Sequence, residues 1–276
     1  MSVPGWGATF ALALLQGGLV AMPRPHALDS LRPLRSPAWA AALPGCIVVG
    51  TFGPIGARSV ALGLVVLAAL ATPPLAAVAV LAVARGPRCA LAAFALAAAV
   101  LAALASGWSG QLSAAVLTAL GALTIGATMA RLIPSRWILA GVVCMCAVDV
   151  VLLAAGVGQP AAAAITHAAG HVPGPSFNHA QVGPLGLDYP DLVLAAVLGA
   201  SLAGQREQWP AAVLVAVLAA ASSTFAPANS VWPATIPVAI TLVALRTAGL
   251  PRRLDVKRFA FADWRARRSA LARSPV

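Results

Sequence analysis

Nine stretches of this chain are apolar for long enough to cross a lipid bilayer, and little lies between them. At about 20 apolar residues per crossing, spans fall near 6–22, 38–56, 60–84, 89–106, 111–130, 137–157, 191–205, 210–225 and 233–249. Hydrophobic residues make up 61% of the 276 residues and charged residues only 9%, too little polar surface for a water-soluble domain. The expected fold is therefore all-α: a polytopic membrane protein with about nine transmembrane helices. The third stretch contains Pro73 and Pro74 and reads as one kinked helix, with a broken pair as the alternative. The seventh and eighth are short. The opening residues MSVPG carry no basic side chain, so the first stretch reads as a span and not as a cleaved signal peptide.

Basic residues test this count. With the N-terminus outside, the inner segments receive Arg24, Arg32 and Arg35; Arg85 and Arg88; Arg131 and Arg136; Arg206; and nine tail positions. That is 17 inside against Arg58 alone outside, an asymmetry that one missed or invented span would break. The expected topology is N-terminus outside and C-terminus cytoplasmic. The net charge of +11 follows the same distribution, which argues for membrane topology and against a nucleic-acid partner. In the tail, Arg alternates with Phe259, Phe261 and Trp264, a pattern that suits an amphipathic helix on anionic lipid or a disordered retention tail. The low aromatic content, Ala-rich helices and preference for Arg over Lys suggest a bacterial plasma membrane. Cys46, Cys89, Cys144 and Cys146 all fall in apolar stretches without a CxxC, which argues against disulfides and a zinc site.

Seven carboxylates are present, and Asp149 is the one inside an apolar stretch. An ionised carboxylate at mid-bilayer costs roughly 2.5–3.5 kcal/mol on insertion scales, so it marks a functional site by default. Asp149 lies about eight residues, roughly 12 Å, from the outer end of its helix. Asp191 opens the next span from the same side, after an apolar approach from 182 to 190 that contains Asp188 and can dip into the bilayer. Two carboxyls a few ångströms apart cannot both ionise and so share a proton. One can then deprotonate water while the other protonates a carbonyl oxygen. The alternative is structural: an Asp bonded to neighbouring backbone or hydroxyls, and Asp191 as a helix cap.

These features resemble the presenilin and signal peptide peptidase family of intramembrane aspartyl proteases. Asp149, in CAVDVVLL, matches the family's aspartate in the sixth span. Asp191, followed by Leu-Val-Leu and Gly199, is similar to the aspartate of the GxGD motif opening the seventh. The ninth span opens with Trp232-Pro233-Ala234-Thr235-Ile236-Pro237-Val238-Ala239-Ile240-Thr241, similar to the family's PALPISIT-like stretch. The resemblance covers roughly residues 137–245 and implies catalysis by Asp149 and Asp191, with Asp188, in LGLD, as the alternate second acid. It implies substrate binding by Pro233, Ala234 and Thr235, and single-span membrane proteins or signal peptides as substrates. No metal or organic cofactor is implied. The N-out orientation resembles signal peptide peptidases. On this reading the chain divides into a five-span region, 1–136; a catalytic four-span region, 137–249, with an outer loop at 158–190; and a basic cytoplasmic tail, 250–276.

The chain departs from the family's pattern at three positions. Val148 replaces the usual Tyr, Pro190 the Gly before the second aspartate, and Thr235 the Leu of PAL. Prolines at 190 and 233 still break the chain near the site, where freed backbone groups can pair with an extended substrate. The prepilin peptidases, a second GxGD class, fit less well because Leu192 stands where they carry Lys.

The main rival is a proton- or cation-coupled transporter using Asp149, with Asp188, His167, His171 and His179 gathering ions at the outer mouth. His167 and His171 have a zinc-compatible spacing, but HAAGH lacks the Glu of a zinc protease. No second buried charge or inverted repeat supports transport. An inactive family member that binds membrane segments is the third reading.

Overall fold

The computed structural model describes residues 3–183, 185–225 and 235–247. About 80% of it is helical, which makes the fold all-α. The first five helices are α1 (Val3–Ala21), α2 (Ala42–Gly56), α3 (Arg58–Val78), α4 (Arg88–Leu104) and α5 (Trp108–Leu132). They are followed by α6 (Ser135–Ala154), α7 (Gly158–Ala169), α8 (Tyr189–Leu202), α9 (Gln208–Phe225) and α10 (Thr235–Thr247). Each of the first eight apolar stretches overlaps one of these helices, and the described part of the ninth is α10. Among the described residues, four helical segments are long and apolar enough to cross a membrane: Pro37–Gly56, Arg58–Val83, Trp108–Leu132 and Ser135–Ala154. Among the described residues, α1, α4, α8, α9 and α10 are further apolar helices that fall short of that length. Residues up to Leu242 form one compact unit; a second begins at Val243, of which only the end of α10 is described.

Local chemistry sets the boundaries. Pro134, which cannot donate to a helix, separates α5 from α6, and Pro87 precedes α4. Gly107, at φ 78°, turns α4 into α5 through a conformation that a side chain would disfavour. Pro73 and Pro74 sit inside α3 without ending it, as the one-helix reading expects; the helix then passes into a π-turn at Ala79–Val83. Thr124 on α5 donates its hydroxyl to the Leu75 carbonyl just beyond these prolines, at 2.8 Å.

The segment 158–190 corrects an expectation. It is not a loop throughout, because α7 occupies its first third and an antiparallel hairpin its end. The hairpin pairs β1 (His179–Val182) with β2 (Leu185–Asp188). The alanine run 161–164 is a strong helix former, and α7 stops at Ala169 against Gly170. The approach to α8 is therefore strand, with Val182 and Leu187 turned inward.

At the centre is α5, with 72% of its membrane-length window buried against 22–28% for the other three long helices. It packs against α3, α4, α8 and β1. α8 is apolar all round and enclosed accordingly, by α1, α5 and α9. Small residues allow this closeness. A Cβ on Gly126 would lie 2.8 Å from the Val193 carbonyl oxygen on α8, and one on Gly199 would lie 2.7 Å from the Leu19 carbonyl oxygen on α1. The outer helix faces show the opposite pattern: Leu70 is 72% and Leu104 80% exposed, as lipid-facing side chains should be.

The connections fall into two sets, each bonded within itself. In the first, Arg24 donates to the Ala82 carbonyl at 2.8 Å, and Arg85 N–H donates to Met22 at 2.9 Å. Arg131 joins Asp29 at 3.3 Å and the Ala27 carbonyl at 2.7 Å, while Arg35 reaches the Ile133 carbonyl at 3.2 Å. These bonds join the α1–α2, α3–α4 and α5–α6 connections. In the second set, Arg58 meets His171 at 3.0 Å, and Gly183 N–H donates to Gln111 at 2.9 Å.

Candidate functional site

Asp149 belongs to the inward stripe of α6. Ile138, Val142, Met145 and Leu152 are buried, and the intervals of three and four residues put Asp149 on the same face. It remains partly accessible. Asp191 sits in the first turn of α8 and is 9% exposed, beneath Leu192 at 0%. Asp188 closes β2, opposite His179 in the ladder, and occupies the N-cap position of α8 without a side-chain capping bond.

Thr235 opens α10 and is fully buried; its Oγ1 donates to Asp149 Oδ2 at 2.8 Å. Cys146, one turn before Asp149, directs its thiol to the Thr235 carbonyl at 3.6 Å. The carboxylates of Asp149, Asp188 and Asp191 lie close enough for their charges to interact, and Cys146 senses both Asp149 and Asp191. Thr235 thus ties α10 to α6 beside Asp149.

Asp188 keeps an open rim, yet protein crowds its other sides. Desolvation raises its carboxyl above the ordinary range, and the charge of His179 across the ladder partly offsets this. Tyr189, next in the chain, points its hydroxyl at α5, where a Cβ on Gly121 would stand 3.1 Å away.

Of the residues expected at the site, Asp149 and Thr235 are bonded to each other, and Asp188 and Asp191 lie within range of the Asp149 charge. Pro233, Ala234 and the tail 250–276 lie outside the described residues. The histidines divide. His179 approaches Asp188, whereas His167 and His171 stack edge-on at 5.0 Å on and just beyond α7, beside Arg58. Among the described residues, no group of three or more His, Cys, Asp or Glu side chains is arranged to hold a metal ion. Cys146 was not expected at the cluster, and His179 was grouped with Asp188 only in the transporter reading. The first was legible as the residue three before Asp149 on the same helical face; the second depends on the hairpin register.

The chain matches no protein-family model, no curated protein and no solved structure.

Proposed function

We propose that this chain is a nine-span intramembrane aspartyl protease, a divergent relative of the presenilin and signal peptide peptidase family, that hydrolyses peptide bonds within transmembrane segments. One observation carries the reading. The hydroxyl of Thr235, from the ninth-span motif, bonds to Asp149 of the sixth span, and Asp191 is buried in the first turn of the seventh. A carboxylate cluster beside an apolar helix face suits water-dependent chemistry better than it suits packing.

Nine spans accord with the four long and five shorter apolar helices and with the two separately bonded sets of connections. The arginine-rich set fits the cytoplasmic side of the plasma membrane, with the N-terminus outside. The acidic cluster then lies toward the outer side. A substrate helix must unwind to be cut, and an extended segment finds backbone partners along the hairpin that ends at Asp188.

In the reaction, one carboxylate takes a proton from water as the oxygen attacks the scissile carbonyl carbon. The other acid donates its proton to the carbonyl oxygen, giving a neutral gem-diol. Collapse returns a diol proton to the second carboxylate while the first acid protonates the leaving nitrogen, and the C–N bond breaks. One water is consumed, and the two acids regain their starting states.

The test uses the purified full chain in liposomes with a single-span substrate. Asp149→Ala and Asp191→Ala should each lower cleavage roughly 10²- to 10⁴-fold. Loss in Asp188→Ala with activity kept in Asp191→Ala would reassign the second acid. Cleavage that survives all three substitutions would overturn the proposal.

A further inference from the structure

We infer, resting on the protease reading above, that Thr235 is a positioning residue that fixes Asp149 as the water-activating base and leaves Asp191 as the acid. The departure from the PAL pattern at this position thereby acquires a role in place of substrate contact.

The geometry begins with where Thr235 stands in its helix. Three threonines inside helices satisfy their hydroxyls on the carbonyl four residues back, Thr118 on Ala114, Thr128 on Thr124 and Thr241 on Pro237, at 2.8–2.9 Å, whereas Thr124 reaches across to Leu75. Thr235 likewise bonds across to another helix. Its hydroxyl turns to α6 and donates to Asp149 Oδ2 at 2.8 Å, from a side chain with no exposed surface. A leucine there, as the family pattern has it, would offer no donor.

This bond makes the two acids unequal. A donor aimed at a carboxylate oxygen favours its ionised form, because the protonated acid accepts more weakly. Asp149 also keeps some accessibility, so water can reach it. Asp191 has the opposite surroundings: it is nearly closed from solvent, in the first turn of the enclosed α8. With one proton to share, Asp191 holds it. Asp149 then takes the proton from attacking water, and Asp191 supplies the one that reaches the carbonyl oxygen.

Cys146 completes the arrangement. Its thiol approaches the Thr235 carbonyl at 3.6 Å from the same face of α6 that carries Asp149. Two contacts therefore join the start of α10 to one turn of α6, and both depend on Thr235.

The experiment compares Thr235→Val, which keeps the side-chain shape without the hydroxyl, with Thr235→Ser, which restores a donor. Cleavage by the full chain in liposomes is followed across pH. Thr235→Val should lower kcat roughly 10- to 100-fold with KM little changed, the loss expected for a hydrogen bond to a charged group. The acid limb of its pH profile should move to higher pH, and Thr235→Ser should recover most of both. Unchanged kcat and pH limb in Thr235→Val, a rise in KM alone, or a serine variant as impaired as valine would each overturn the inference.

Infrared difference spectra, Thr235→Val against wild type, separate this outcome from failure of the protease reading. A shifted carboxylate band that vanishes in an Asp149→Asn background supports the bond, and an unshifted band refutes it, whether or not any substrate is cut.

Discussion

The Arg85 guanidinium donates to the side-chain oxygen of Gln208 at 2.6 Å, tying the α3–α4 connection to the first residue of α9. Gln208 is fully buried, and its amide nitrogen donates to the carbonyls of Val20 and Pro23, each at 3.0 Å. Arg206, two residues earlier, belongs to the same basic side of the sequence. One glutamine thus satisfies groups left over at the end of α1 and meets an arginine across the interface.

Gln208→Leu keeps the bulk and removes the bonds. It should destabilise the protein by about 2 kcal/mol or more, since buried carbonyls lose their donor and Arg85 its acceptor. Unfolding of the detergent-solubilised protein measures this. A midpoint equal to wild type would mean that the network is incidental.

Gly126→Val tests the contact that seats the acid-bearing helix. Any Cβ there meets the Val193 carbonyl oxygen at 2.8 Å, so α8 must move. A loss of roughly 1–3 kcal/mol is expected for such overpacking, together with reduced cleavage, because Asp191 rides on α8. Gly63→Val, at a glycine whose Cβ would meet nothing within 4 Å, should leave cleavage intact.

Single cysteines in a cysteine-free background test the sidedness. Cys at Ser176 or Gly107 should react with an impermeant maleimide on intact cells. Cys at Ser30 or Arg88 should react only after permeabilisation. Labelling of all four from outside would contradict the alternation.

Asp188 gives a prediction with a definite sign. Its folded carboxyl lies above the unfolded value, so it favours the fold fully at acidic pH and loses that contribution as pH rises through its own titration. Asp188→Asn removes the loss. The variant should melt higher than wild type near neutral pH and together with it below the ordinary carboxylate range. A melting difference independent of pH would sink this assignment.

The helices were legible because long apolar runs leave few other folds open, and the arginines that separate them lie in the connections where they bond. Asp149 was legible for the same reason: a carboxylate in such a run stands out. Other features depended on tertiary context. The alanine run of α7 is short and framed by Gly, Pro and His, so composition alone read it as loop. The hairpin alternates too briefly for periodicity to register, with Ala180, Val182 and Leu187 inward and Gln181 and Gly186 outward. Thr235 in place of a leucine looked like erosion of a motif; its hydroxyl acquires a partner only when α10 meets α6.

Oxygen-18 water tests the central claim most directly. Wild-type protein in liposomes, given a single-span substrate, should release a fragment whose new C-terminal carboxyl carries the label, and Asp149→Asn and Asp191→Asn should release none. An intact substrate with wild type, or labelled fragments from both variants, would contradict hydrolysis by this pair of acids.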